Sequence, residues 1–423
     1  MGFNVLLVNP NRFRDPPVIP IGLEYITTAL EKYHHNVNIL DLCFCESPKE
    51  QLTKTLSKRS YDIVGFSIRN IDSLGYFNNK FFLPSIKPLV QCVKKQNIPV
   101  ILGGSGFSAM PYKILDYFDA DYGIVGPGEI IFPRFLELLR SEKKVKKIHN
   151  GWHYGSDVEL VHLRGHKIHY SQYLSGDATI GFETHKGCTS QYPFCINAGT
   201  ITIYKKIPYI IEELKYIVNQ GYTHFQLCDN EFNSDLNFSI KFCKALIEAN
   251  FPLKWSLCIK PQPYSEELFK QLHGAKVYKI SIDITSDKRI QELNNYNYND
   301  LRNVIEYCTK YQFELVINLL VGYPHESYES IKKMIDFFKS HRPTSVTVDS
   351  YFRVYDNTVL ADLIKNDPSL QINLIKPYSE KLNFLEPVYY NQISQDLLED
   401  LISEDELFRI AWFNTGLNSK RIE

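Results

Sequence analysis

Two kinds of segment in this 423-residue chain carry residues that could do chemistry. The first kind is short, polar and rich in glycine: Asn9-Pro10-Asn11, Ser67-Ile68-Arg69-Asn70-Ile71-Asp72, Gly103-Gly104-Ser105-Gly106-Phe107-Ser108 and Gly126-Pro127-Gly128-Glu129. Glycine lets a backbone approach a ligand closely and exposes N–H groups to phosphate or amide oxygens. A tight turn accounts for one such loop; several on one edge point to a ligand. The second kind is a single run, Gly181 to Ala198, with thiols at Cys188 and Cys195 and the phenol of Tyr192 between them. The nine cysteines are odd in number and scattered, which does not read as a disulfide framework. Most read as small buried residues.

The elements that would position these residues follow from hydrophobic patterning. In the first 140 residues, apolar runs at 3–8, 37–40, 63–66, 100–102 and 122–125 read as strands. Helical spacing separates them, notably at 21–33, 83–95 and 129–139. Alternation of this kind predicts a parallel sheet with helices on both faces, in the flavodoxin-like order 2-1-3-4-5. Its ligand would lie beyond the carboxyl ends of the strands. The glycine-rich loops sit at those ends. Residues 141–178 read as a connector: 143–147 is basic, and Gly151, Gly155 and Gly165 punctuate it. A second series follows, with strands at 179–184, 223–227, 255–258, 277–284, 313–320 and 345–351. Six β/α units predict an incomplete parallel barrel with its chemistry at the strand C-termini. Residues 361–423 are expected to form a helical tail.

With the elements in place, a resemblance becomes specific. Pro20-Ile21-Gly22-Leu23, Asp41 closing strand 2, the 103–108 loop and the 126–129 loop resemble the cobalamin-binding domain that precedes many radical SAM enzymes. Cobalamin domains of the methionine-synthase type carry Asp-x-His-x-x-Gly, whose His coordinates cobalt. This third of the chain has only His34 and His35, between a helix and a strand. The resemblance implies a lower cobalt face without protein histidine, beside Arg69, Asn70 and Asp72. Gly103, Gly104, Ser105, Gly106, Gly126, Gly128 and Glu129 would border the cofactor. The run Glu183-Thr184-His185-Lys186-Gly187-Cys188 through Cys195 resembles the radical SAM signature Cys-x-x-x-Cys-x-x-Cys with its upstream Glu-Thr-x-x-Gly. In that family three thiolates hold three irons of a [4Fe–4S] cube, and the fourth iron binds S-adenosylmethionine. Here Cys188 and Cys195 fill the first and third positions and Tyr192 the second. A phenol, with pKa ~10, is a harder and weaker ligand than a thiolate. Three readings are open: another ligand completes the cluster (Tyr192, Cys228 or Cys258), the cluster is lost, or the tyrosine is an altered residue in a standard enzyme.

The same resemblance assigns the other strand ends. Asp229 or Glu231 would accept from the SAM ammonium. Asp283 could take both ribose hydroxyls. The turn from Val321 to Ser327 would pack near the adenine, with Ser327 also a good N-cap. Arg353, in Arg353-Val354-Tyr355-Asp356-Asn357-Thr358, could bind a carboxylate bidentately. The aromatic run 384–390 would cover the site or pack as core.

The whole chain bounds these expectations. Hydrophobic residues at 44% and charged residues at 22% describe a folded protein. A net charge of −1 argues against a polyanion-binding surface. RNA methylthiolation therefore finds no support, and no nucleic-acid partner is expected. The first residues lack a signal-peptide pattern, and no apolar run nears the roughly 20 residues that span a bilayer. A cytoplasmic protein without membrane contacts is expected. The family implies cobalamin, S-adenosylmethionine and a [4Fe–4S] cluster as cofactors. It also implies an external electron donor such as flavodoxin or ferredoxin, and a small-molecule or peptide substrate. The expected activity is methyl transfer to an unactivated carbon. The alternative is a family member that binds cobalamin or SAM without an intact cluster, as a carrier or accessory protein.

Overall fold

A computed structural model describes residues 2–141, 145–154, 160–174, 179–375 and 383–411. The chain divides into two compact units. The first holds residues up to Ser73, Lys80–Thr179 and Ile203–Gly221; the second holds Leu74–Asn79, Ile180–Thr202 and the chain from Tyr222 onward.

The first unit is built on β1 (Asn4–Asn9), β2 (Asn36–Asp41), β3 (Ile63–Ser67), β4 (Val100–Gly103), β5 (Tyr122–Val125) and β6 (Ile148–Asn150). All pair in parallel in the order β2-β1-β3-β4-β5-β6. The expected doubly wound sheet is present, extended by one strand from the connector. Its central strand is apolar throughout because both faces are covered: Val5, Leu6, Leu7 and Val8 are all buried. Helices Ile21–Lys32 and Gly128–Ser141 pack Leu23, Leu30, Ile131, Phe132 and Phe135 against Val5, Leu7 and Ile101. Parts of the expected connector, including Gly155, lie outside the described residues.

Helix Ile207–Val218, which lies in chain order between the first two barrel strands, groups with this unit. The reason is a buried ionic knot. Glu213 pairs with Arg164 at 2.8 Å, and both side chains are essentially inaccessible. Glu213 also accepts from the Tyr25 hydroxyl at 2.9 Å and lies 3.9 Å from the Lys205 ammonium. Beside it Glu24 accepts from the Gly165 N–H and the Tyr170 hydroxyl. Burying charges costs several kcal/mol per ion unless they are paired and hydrogen-bonded, so these partners fix one another.

The second unit opens with β7 (Ile180–Phe182). A ribbon of β8 (His185–Cys188) and β9 (Thr200–Tyr204) follows, then β10 (His224–Leu227), β11 (Lys254–Ile259), β12 (Val277–Thr285), β13 (Glu314–Leu320) and β14 (Ser345–Asp349). Short strands β15 (Phe352–Arg353), β16 (Leu374–Ile375) and β17 (Tyr389–Tyr390) make a small antiparallel sheet, and β18 (Phe408–Ile410) comes last. The main sheet runs β7-β10-β11-β12-β13-β14-β18, parallel throughout. The six expected barrel strands are all there.

Two features differ from expectation. The run around the thiols contains the β8–β9 ribbon, which the closeness of Gly187 to the Ile201 carbonyl permits: a Cβ on Gly187 would collide with that oxygen, and its φ is +96°. The tail is not uniformly helical. Its helices Val359–Asn366 and Gln395–Ile402 alternate with β16, β17 and β18, because buried Tyr389 and Tyr390 pair with β15 and β16. The last of the tail, 412–423, lies outside the described residues.

Candidate functional site

At the carboxyl edge of the first sheet, the loops after β3 and β4 pack on each other. The Ile68 N–H donates to the Gly103 carbonyl at 2.7 Å, Gly106 N–H to the Arg69 carbonyl at 2.8 Å, and the Ser105 hydroxyl to the same carbonyl at 2.8 Å. Gly104 has φ +98°, and a Cβ there would lie 2.7 Å from the Ile68 oxygen; one on Gly106 would lie 2.9 Å from it. Gly104, Ser105 and Gly106 therefore serve loop-to-loop packing. Gly126 abuts Trp152 and donates to the Ser108 hydroxyl, and Gly128 abuts Ile26. Asp72 and Glu129 are buried. Gly103 alone of the expected glycines has room: a Cβ there would find its nearest neighbour 3.9 Å away.

What opens on this edge is a cavity of about 480 Å³ whose wall includes Asn11, Arg12, Arg14, Ser67, Arg69, Asn70 and Lys80. It lies past the ends of β1 and β3, where the strand order reverses and ligands of such sheets bind. Arg69 donates to the Asn70 side chain at 3.2 Å. Among the described residues of the wall there is no histidine. His35 instead accepts from the Phe3 N–H at 3.1 Å, and burial lowers its pKa. An open edge lined with hydrogen-bond donors fits a corrinoid.

In the second unit the thiols lie on and beyond the β8–β9 ribbon. Cys188 N–H donates to the Thr200 hydroxyl at 2.9 Å, and Asn197 N–H lies 3.4 Å from the Cys195 sulfur. Burial pushes both thiols above their ordinary pKa, reinforced at Cys188 by Glu231 and Cys195. Tyr192 does not face them as a free ligand: its hydroxyl donates to the Asp283 carbonyl at 2.8 Å. Burial, with Tyr296 and Asp283 beside it, holds that phenol well above the usual value.

The acids divide sharply. Asp229 is buried and committed, accepting from Thr184 N–H at 2.8 Å, the Thr184 hydroxyl, and His185 N–H at 3.3 Å, with His185 Nδ1 3.0 Å away. Burial opposes charge on His185, yet Asp229 lifts its pKa above the ordinary value. Asp229 therefore already holds four donors from Thr184 and His185 at the place where a ligand ammonium is expected. Glu231 accepts from Thr189 N–H and hydroxyl at 3.3 and 3.0 Å, and lies 3.5 Å from Lys260. Asp283 is exposed, with Asn318 donating to one carboxylate oxygen at 2.7 Å. Arg353 lies on β15. It is buried and donates to the carbonyls of Val354, Phe384 (3.1 Å) and Leu385 (3.2 Å), so it clasps the tail.

Cys258 lies near the same acids, Asp283 and Glu231, which raise its pKa further after burial. Cys228 points its thiol to the Gln226 carbonyl at 3.8 Å. Among the described residues no three His, Cys, Asp or Glu side chains already form a metal cage. The donor chemistry nevertheless fits iron: two thiols on one loop, with a carboxylate and a third thiol sharing their neighbours.

Sequence reasoning missed Arg12, Arg14 and Lys80 at the cavity, and Tyr296, Asn294 and Asn318 around the motif. The cations sit in loops past β1 and β3, a position that marks them in hindsight. The three polar partners carry no local signal.

Comparison with known proteins then identifies the class. The B12 binding domain model matches residues 14–136, and the Radical SAM superfamily model matches residues 182–338. The chain belongs to the radical SAM proteins that carry an N-terminal B12-binding domain. It is similar to the tryptophan 2-C-methyltransferase of Streptomyces laurentii, 22% identical over 417 residues, covering 78% of this chain and 69% of that one. The cytidylyl-2-hydroxyethylphosphonate methyltransferase of Streptomyces wedmorensis is 21% identical over 355 residues, with 67% and 65% covered. Among solved structures, the radical S-adenosylmethionine methyltransferase TsrM from Kitasatospora setae, with tryptophan and a SAM analogue, superposes with TM-score 0.82 at 20% identity. That match covers 95% of this chain and 87% of TsrM. TsrM with cobalamin and a [4Fe–4S] cluster gives 0.79 at 19% identity, covering 100% and 98%. At such identities these structures establish the fold. Among the described residues no helix is long and apolar enough to cross a membrane.

Proposed function

We propose that this chain is a cobalamin- and S-adenosylmethionine-dependent methyltransferase of the radical SAM class, acting on a carbon of a small molecule in the cytoplasm. The observation that carries the reading is the pairing, on one chain, of a B12-binding match with a radical SAM match, in a fold like TsrM over nearly its whole length. The division that goes with this reading is residues 1–140 for cobalamin, 141–178 as connector, 179–360 for SAM and cluster, and 361–423 as tail. When bound, cobalamin supplies a transferable methyl group, and the reduced cluster supplies an electron to SAM.

This chain's own residues would act by holding and orienting. Arg69, Asn70 and the space above Gly103 receive the corrinoid edge. Cys188 and Cys195 bind iron after losing their protons, which burial makes costly and a metal offsets. Asp283 and Asn318 offer a carboxylate and an amide to the SAM ribose, and Glu231 an acceptor for its ammonium. An external flavodoxin or ferredoxin would deliver electrons.

The test is anaerobic loading with hydroxocobalamin, iron and sulfide, followed by SAM labelled in its methyl group, a reductant and a panel of indoles and other small molecules. Retained corrinoid, cluster absorbance and labelled product are expected. Protein that retains no corrinoid overturns the reading. Retained corrinoid with no SAM turnover leaves the carrier as the better account.

A further inference from the structure

The middle position of the cluster motif holds a phenol that the structure puts to another use. Tyr192 donates its hydroxyl to the Asp283 carbonyl at the end of β12, 2.8 Å away. The Tyr296 phenol lies beside it and accepts from Thr285 N–H at 3.3 Å. To ligate iron, Tyr192 would have to break this bond and ionise next to the carboxylates of Asp283 and Glu231. The oxygen gained is a harder donor than the sulfur it replaces.

The rest of the loop is tied in the same manner. Cys188 N–H reaches Thr200, Thr189 reaches Glu231, and Gln191 N–H reaches the Asn294 side chain at 2.7 Å. The Pro193 carbonyl accepts from Leu360 N–H, and Gly199 N–H closes onto the Ser190 carbonyl, both at 2.9 Å. The β8–β9 ribbon closes the base.

We infer that Tyr192 is a positioning residue and no iron ligand: it ties the motif loop to the end of β12, replacing the missing iron–thiolate bond with an O–H···O=C bond, so the loop is formed before metal arrives. The inference rests on the motif assignment made above. Its test uses the full chain, iron-free and iron-loaded, as native protein, Tyr192→Phe and Tyr192→Cys. Hydrogen exchange is followed in peptides covering 188–200, with β1 as internal reference. Iron content and resonance Raman spectra are taken on the loaded samples.

Native loop amides should be protected without iron. Tyr192→Phe should exchange roughly five- to tenfold faster there, the loss expected for one hydrogen bond, with β1 unchanged. Its iron content should equal the native value, and no phenolate-to-iron band should appear in either. Tyr192→Cys should be loose when iron-free and tighten on loading. A phenolate–iron band, loss of iron in Tyr192→Phe, or equal exchange in native and Tyr192→Phe overturns the inference. Should Tyr192→Phe not fold, the native chain decides: protection without iron supports it, and protection only after loading overturns it. Failure to bind iron at all would count against the proposed function and leave the exchange result standing.

Discussion

Replacing Glu326 with glutamine should stabilise the protein above neutral pH. The carboxyl sits in the turn after β13 and accepts from Gly322 N–H at 2.6 Å, Tyr323 N–H at 3.2 Å and the Ser286 hydroxyl. Burial dominates and pushes its pKa from 4.5 up to about 7; these hydrogen bonds pull down, and the charge of Asp287 pushes up. An unfolded chain releases this proton near the ordinary value, so between the two values the folded state holds more protons. Stability from this group is complete below the unfolded value and is lost as pH rises through about 7. The gap, at about 1.36 kcal/mol per pH unit, is about 3 kcal/mol. Glutamine stays neutral, keeps a carbonyl for the backbone donors, and offers its amide to Ser286. Thermal melts of native and Glu326→Gln protein from pH 4.5 to 8.5 should separate progressively, by roughly 3–4 °C at the alkaline end for a chain of this length. Comparing the two proteins cancels every other titrating group. Parallel pH profiles would refute the reasoning.

Two further substitutions follow. Arg164→Met leaves Glu213 buried with only the Tyr25 hydroxyl and a lysine 3.9 Å away, and should cost about 3–5 kcal/mol in denaturant unfolding. Arg164→Met with Glu213→Leu should recover much of that loss, and a double variant as unstable as the single would remove the pair from the account. Gly104→Ala, with φ +98° and a carbonyl 2.7 Å from its Cβ, should cost about 1–3 kcal/mol, whereas Gly103→Ala should leave stability nearly unchanged and weaken corrinoid retention. Equal unfolding midpoints for the two alanine variants would contradict the packing argument.

The strands that carry both sheets were legible because burial on both faces demands continuous apolar runs. Residues 3–8 and 63–66 could hardly be anything else between helical stretches. Short strands were not legible. β18 has three residues, and its pairing with β14 depends on the partner rather than on its own pattern. The β8–β9 ribbon was hidden for another reason: its first strand is His185–Cys188, polar and glycine-broken, and it pairs only because Gly187 admits the opposite carbonyl. The chain order of helix Ile207–Val218 likewise hid its allegiance, since Glu213 finds its partners at Tyr25 and Arg164, far away in sequence.

The site was legible as a set of places rather than a set of available groups. Strand ends locate a carboxylate, but whether it can take a ligand depends on competition from neighbouring donors. Asp229 has both oxygens engaged by Thr184 and His185, because a tight approach between β7 and β10 aims those groups at it. Asp283 has one oxygen on Asn318 and is otherwise exposed. The two acids look alike in sequence, and only the second can reward a ligand without first losing a partner inside the protein. The same competition explains Tyr192. A phenol among hydrogen-bond acceptors finds one at Asp283, whereas a thiol, a weak donor, would have been left for iron. Cysteine at this position keeps the loop waiting for metal. Tyrosine lets the protein finish the loop itself.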